Sequence, residues 1–271
     1  MGMQWGVAGN FPAVYEELMV PAFFRVFAED LVARVAPQPG DRLLDVATGT
    51  GVVIRVALEH EPALARPIGL DRTPGMLDTA RAVTAGLAAE WLEGDALELP
   101  FGPDSFDVVT CQQGLQFFPD RPAALAEMRR VLTPGGRVAI ACWAGMDEQE
   151  AQRLFDAEVT ALEPDVAGVG HAPFSLGDPQ ELAALVAGAG FEDVAVTRVE
   201  LPAHFASADA FFRSFAEGSP LAFALAELPQ ARVDALREAT VRAVEPLVGP
   251  DGLEPAMVTH VATARTPAPS A

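Results

Sequence analysis

The chain has 271 residues, half of them hydrophobic, and a formal net charge of −20. That is enough apolar material for a sizeable core in one domain, or in one domain with an elaboration, and the acidity disfavours a polynucleotide partner, whose phosphates need Lys and Arg. All 18 basic residues are arginine, which excludes a P-loop lysine and any lysine Schiff base.

No run of about 18 apolar residues marks a membrane span. The opening MGMQWGVAGNFP lacks the basic and apolar regions of a secretory signal, so a cytoplasmic location is expected. Residues 1–12 read as irregular. Residues 13–36 carry helical periodicity interrupted by Pro21, which predicts two helices, over 13–19 and 21–36. Tyr15, Phe23, Phe24 and Phe27 give them a bulky apolar face. That face either packs against a sheet or serves as a lid over a ligand.

Arg42–Val46 reads as an apolar strand, followed by a turn with Gly49 and Gly51 and a helix over 51–60. Without a Cβ, the glycines let the backbone bend sharply and lie against a ligand. A strand, glycine loop and helix in this order form the nucleotide crevice of doubly wound α/β folds. The dinucleotide fingerprint G-x-G-x-x-G is not met, because Ile54 stands where its third glycine belongs. Asp45, at the strand's end, would repel a pyrophosphate but suits a ligand with an ammonium and a sulfonium. The stretch DRLLDVATGTGVVI, residues 41–54, closely resembles motif I of the class I S-adenosylmethionine (SAM)-dependent methyltransferases, D-x-G-x-G-x-G. Ala47 replaces the first glycine, a variant also seen in the quinone-biosynthesis C-methyltransferases of that class.

The resemblance implies a Rossmann-like α/β fold: a doubly wound, mostly parallel seven-stranded sheet with an antiparallel last strand. N-terminal helices and a helical cap inserted before the last strand would complete it. It further implies SAM as cofactor and S-adenosylhomocysteine as product, with Asp45, Ala47, Thr48, Gly49 and Gly51 around the ligand. In that family an N-terminal helix often covers the cofactor, which would bring Tyr15 and Glu16 to it.

Residues 67–71 are the second strand. Asp71 lies about 20 residues past the glycines, where such crevices place the acid that takes the ribose hydroxyls; Arg72 follows it in the cofactor set. Thr73-Pro74 opens a helix with a hydroxyl cap and a first-turn proline, and Met76 faces back to the crevice. Residues 90–92 make a short third strand, then GDALELPF over 94–101 resembles the family's G-D-A-x-x-L-P-F segment. By that resemblance Asp95 accepts from the adenine amino group and the Ala96 N–H meets a ring nitrogen. Without it, Asp95 reads as a turn residue bonding its own backbone.

Residues 105–111 form a buried parallel strand, with Cys111 inside it as Cys142 is inside the next; both thiols read as buried. Gln112 and Gln113, at the strand's carboxyl end, are candidates for the methionine part of the cofactor. Gln116 and Phe117 could line the methyl-acceptor pocket. The Pro-Pro-aromatic signature of DNA and glutamine-amide methyltransferases is missing here, as is the acid that metal-dependent catechol-type enzymes need. A helix over 121–132 is stopped by residues 133–136, and LTPGGRVAI resembles the family segment that leads into the fifth strand, 137–143. Trp143, at its end, either caps the substrate cavity or packs in the core.

Beyond it the sequence predicts an amphipathic helix over 147–163, a Pro/Gly-rich loop over 164–178 with His171, and a helix over 178–189 capped by Asp178. A strand over 191–201, helices over 207–228 and 230–247, a last strand over 257–264 and a loose tail from 266 complete the chain. The resulting division is 1–39 lid helices, 40–205 SAM-binding core, 206–250 helical substrate cap, and 251–271 final strand and tail. His204 and the aromatic face of the cap, with Phe211, are expected beside the acceptor.

Displacement at a sulfonium needs alignment and a dry pocket more than a side-chain catalyst. A base matters only if the acceptor must lose a proton. His171 and Tyr15 are the candidates for that role; His60 reads as solvated and His260 as structural. No His, Cys or Asp cluster has metal-ligand spacing. The expected activity is methyl transfer to O, C or N of an apolar small molecule. The alternative is a cyclisation or decarboxylation on the same fold, with SAM kept as a structural ligand. A nicotinamide oxidoreductase is disfavoured by Ile54 and Asp45. A binding module would have no need of acids at all three loops. The sequence leaves the oligomeric state open.

Overall fold

The computed structural model describes residues 11–268; residues 1–10 of the expected irregular start and 269–271 of the tail lie outside the described residues. In chain order the elements are α1 (Phe11–Val14), α2 (Arg25–Val35), β1 (Arg42–Val46), α3 (Val52–His60), β2 (Arg66–Asp71), α4 (Pro74–Val83), β3 (Glu90–Glu93) and β4 (Phe106–Gln112). They continue with α5 (Arg121–Val131), β5 (Leu132–Trp143), α6 (Glu150–Leu162), α7 (Pro179–Gly188), β6 (Glu192–Pro202), α8 (Ala208–Gly218), α9 (Leu221–Leu225) and α10 (Gln230–Val244). A two-residue hairpin, β7 (Val248–Gly249) with β8 (Gly252–Leu253), precedes β9 (Ala256–Arg265).

Seven strands form one sheet in the order β3-β2-β1-β4-β5-β9-β6. β3, β2, β1, β4 and β5 pair in parallel, and β9 lies antiparallel between β5 and β6. This is the doubly wound, mostly parallel sheet with an antiparallel last strand that the sequence implied. Successive residues point to opposite faces of a strand, and the two cores follow that rule. Leu43, Val108, Ala139 and Trp143 face α2, α3, α6 and α8, whereas Leu44, Val109, Cys111 and Ile140 face α5 and α7. Both cysteines are free and buried.

The N-terminal helices differ from expectation. Pro21 does not break the chain; residues Tyr15–Phe24 form a π-helical stretch that joins α1 to α2 without a gap, and Arg25 N–H reaches back to Val20 O. A widened turn absorbs a residue with no N–H to give. The Glu16 carboxylate accepts from both Arg55 NH groups, at 2.7 and 3.0 Å, and fastens this segment to α3. Thr73 gives no side-chain cap to α4; Asp71 Oδ1 accepts from Thr73 N–H instead.

Toward the C-terminus, the loop around His171 is a 3₁₀ helix over Ala167–Phe174. The expected helix over 207–228 is two helices, α8 and α9, separated at Ser219 and Pro220. Nor is the tail loose at 266: Thr266 N–H donates to Gly136 O at 3.0 Å, and Gly135 N–H donates to Pro267 O at 3.2 Å.

Gln149 shows how the last strand is fixed. Fully buried, its amide donates to Val258 O at 2.6 Å and accepts from Val258 N–H at 3.1 Å, standing in for a neighbouring strand. A buried backbone group left unpaired costs about 1–3 kcal/mol. Val258 O keeps Ala144 N–H at 3.0 Å, so Gln149→Leu orphans Val258 N–H alone and lowers unfolding free energy by about 1–3 kcal/mol in urea titration; a loss no larger than that of a surface substitution would refute the bridging role.

Candidate active site

β1 runs outward to β2 and β4 runs the other way to β5, which leaves a crevice over the carboxyl ends of β1 and β4. The loops leaving those strands are strained. Ala47 and Gln113 take left-handed backbone, with φ of 58° and 54°, at a cost of about 1–2 kcal/mol for a residue with a Cβ. The two loops touch: a Cβ on Gly114 would sit 2.7 Å from the Ala47 Cβ. Ala47 thus occupies a conformation that favours the glycine it replaces, and strain rather than bulk is what the exchange introduces.

A cleft of about 240 Å³ opens over this junction and extends from β3 past β5 to α6. Of the expected cofactor residues, Ala47, Gly49, Asp71, Arg72, Met76, Asp95, Ala96, Gln112 and Gln113 line it. Asp45, Thr48 and Gly51 do not; they form the layer beneath. Asp45 is buried and accepts from Thr48 Oγ1 at 2.6 Å and Thr110 Oγ1 at 2.8 Å, tying the glycine loop to β4. Burial pushes its carboxyl up to about 7, against the pull of those two hydroxyls. Gly51 lies against Trp91: with φ of 82°, a Cβ there would sit 2.3 Å from the indole ring, so the glycine makes room for it.

Asp71 does face the cleft. Its Oδ2 accepts from Gly49 N–H and its Oδ1 from Thr73 N–H, both at 2.9 Å. Burial raises its pKa, and those backbone donors oppose the shift. Asp95 lies exposed at the far rim with one oxygen on Leu97 N–H at 2.9 Å, so the self-bonding turn is present and a second oxygen is left over. The loop behind it is clamped by α5: Glu127 accepts from Leu99 N–H, and Arg130 donates to Leu99 O and Phe101 O. Gln112 donates through Nε2 to Phe24 O, while its buried Oε1 has no partner. Gln113 donates to Thr259 Oγ1.

The acceptor and catalytic expectations fare unevenly. Phe117 and Trp143 line the cleft, and Trp143 also packs edge-on against Phe27 at 5.1 Å, so both of its readings hold. Gln116 is turned inward, donating to Gln113 Oε1. Phe211 is fully buried beneath the cap, packed on Phe205 and Phe215; Phe215, one helical turn on, reaches the cleft in its place. His204 is more than half exposed and paired with Glu254, outside the cleft. His171 is likewise 54% exposed, with Nε2 2.8 Å from Asp156 Oδ1; Asp156 lines the cleft and His171 does not. Tyr15 lines it, and burial and the nearby Glu16 and Asp71 push its pKa upward, so the phenol stays protonated. Sequence reasoning missed Met19, Gln152, Phe155, Phe174 and Leu221 in the lining. Only the spacing of 152, 155, 156 and 159 on one face of α6 offered a signal.

The buried carboxyl of Asp45 leaves a mark on stability. Its folded-state pKa, about 7, stands above the ordinary 3.8, so the folded chain keeps a proton that the unfolded chain has released. Between those values stability falls as pH rises, by up to about 1.4 kcal/mol per unit; above them this group adds no slope. Asp45→Asn should therefore gain stability relative to the parent at pH 8 compared with pH 5, measured by urea midpoints. An equal difference at both pH values would show that Asp45 is not a titrating buried acid.

Comparison with known proteins places this geometry. The family described as "Methyltransferase domain" matches residues 44–140. A ubiquinone/menaquinone biosynthesis C-methyltransferase, UbiE, from Dinoroseobacter shibae is 36% identical over 162 residues, 57% of this chain and 64% of that protein. A demethylmenaquinone methyltransferase from Thermus thermophilus is 44% identical over 115 residues, 42% of this chain and 50% of that one. The chain thus spans under two thirds of the curated relatives it matches. Among solved structures, YcgJ from Bacillus subtilis overlays with a TM-score of 0.59 at 19% identity, covering 89% of this chain and 99% of that one, a likeness of fold. Motif order, matched domain and strand order agree, and together they support a class I SAM-dependent methyltransferase.

Proposed function

We propose that the protein transfers the methyl group of SAM to an apolar, ring-bearing small molecule in the cytoplasm, with C-methylation of a quinone-type ring as the first candidate. The matched methyltransferase domain supports SAM as the ligand, and the activities of the two curated relatives support the quinone-type ring.

Asp71 is the observation that carries the reading. It is a buried carboxylate at the end of β2, held by two backbone N–H groups at the edge of the cleft, and a carboxylate can accept two hydrogen bonds from a diol. The rest of the set fits the same ligand. Asp95 and the Ala96 backbone stand where an adenine edge would be read. Gln112 Oε1 is a buried acceptor without a partner, suited to an ammonium. When bound, SAM supplies an activated methyl group and a neutral thioether leaving group. The chain's part is to hold that ligand, align the acceptor and exclude water. Phe23, Phe24 and Trp143 do the last of these from the N-terminal segment and β5. We read α1, the π-helical stretch and α2 as the lid, and α8 to α10 as the acceptor cap. Tyr15 keeps its proton rather than abstracting one. His171, turned to Asp156, does not reach the cleft, so alignment and desolvation carry the rate.

Calorimetry with SAM and S-adenosylhomocysteine tests this. Asp71→Ala should weaken both by about 10- to 100-fold, the worth of one or two hydrogen bonds to a charged group. Binding within twofold of the parent would remove the ribose assignment. With an accepted substrate, one S-adenosylhomocysteine should form per added methyl; product without consumption of SAM would identify the non-methylating alternative.

A further inference from the structure

Gln152 is the odd residue of the cleft. It sits on α6 between aromatic neighbours, is 2% exposed, and neither Oε1 nor Nε2 has a hydrogen-bond partner. Buried polar groups are ordinarily paired, and Gln152 lines the cleft. Phe155, Asp156 and Val159 project from the same face of α6. With Val169 and Phe174 from the 3₁₀ segment and Phe215 from α8, they build the half of the cleft farthest from Asp71 and Asp95.

The charges of that half are one-sided. Arg72 stands beside Asp71 at the cofactor end, and Asp156 is the charged residue lining the α6 end. An anionic acceptor would meet a carboxylate there, and a bare hydrocarbon ring would leave the Gln152 amide unpaired. A ring hydroxyl offers it a partner, donating to Oε1 or accepting from an Nε2–H.

We propose that Gln152 is the specificity-determining residue of the acceptor half, and that the acceptor is a neutral flat ring bearing a hydroxyl, chosen over the hydrocarbon and the carboxylate of the same shape. This rests on the methyltransferase reading of the site. A polar site built to pair one hydroxyl rejects the analogue lacking it, because its own groups are then left unpaired.

The probes are 2-naphthol, 2-methylnaphthalene and 2-naphthoate, titrated at pH 7 into the full chain saturated with S-adenosylhomocysteine. The parent should bind 2-naphthol at least tenfold tighter than either analogue. Gln152→Leu should erase that preference, leave S-adenosylhomocysteine affinity within twofold, and not lower the melting temperature. Gln152→Met, unbranched and of similar length, provides the same reading if the leucine variant does not fold. Retention of the hydroxyl preference in either variant overturns the proposal, as does a parent with no preference. Should S-adenosylhomocysteine fail to bind the parent, the methyltransferase reading fails, and the same titrations without it still decide the role of Gln152.

Discussion

Putting carboxylates out of water beneath a glycine loop is costly, and the hydrogen bonds that offset the cost fix the loop. Asp45 receives two hydroxyl protons, one from its own loop and one from β4. Asp71 receives two backbone N–H groups, one from the glycine loop and one from the head of α4. The glycine loop, the head of α4 and β4 are thereby locked into one frame at the point where the strand order reverses. The left-handed backbones of Ala47 and Gln113 persist because this frame over-determines them.

On that frame the cleft divides by origin. The polar half comes from the ends of β1 to β4, held from behind by Glu127 and Arg130 on α5. The aromatic half is supplied by segments distant in sequence: the π-helical stretch, α6, the 3₁₀ turn and α8. The Glu16–Arg55 pair ties the first of these to α3. Such a division suits displacement at a charged sulfur, where polar groups place the donor and an apolar wall keeps the reacting atoms dry. In that light the upward shift at Tyr15 is consistent with a site whose side chains position rather than abstract a proton.

Local signals made the polar half of the cleft readable in advance. Asp71 ends β2, Gly49 and Asp95 lie just past β1 and β3, and short apolar runs placed those strand ends within a residue. Within the motif, Asp45 and Gly51 lie one layer beneath the cleft lining, where one braces the loop and the other makes room for Trp91. Spacing along the chain says which residues are near a loop, and not which of them turns its side chain outward. The acceptor half was far less legible. Phe211 and Phe215 share one amphipathic helix, and only the packing of α8 on the rest of the cap decides that the first is core and the second is wall.

By itself, then, the order of residues determined the strands, the glycine loop and the acids that follow the strands, because apolar runs, glycine turns and motif spacing are local properties, while the winding of the sheet was implied by the family resemblance. Tertiary structure alone decided that Pro21 sits within a continuous helix, that His171 and His204 turn to Asp156 and Glu254, and that Gln152 faces the cleft unpaired. Each of those outcomes depends on a partner tens of residues away or on how one helix rolls against another, and neither is written in the neighbouring sequence.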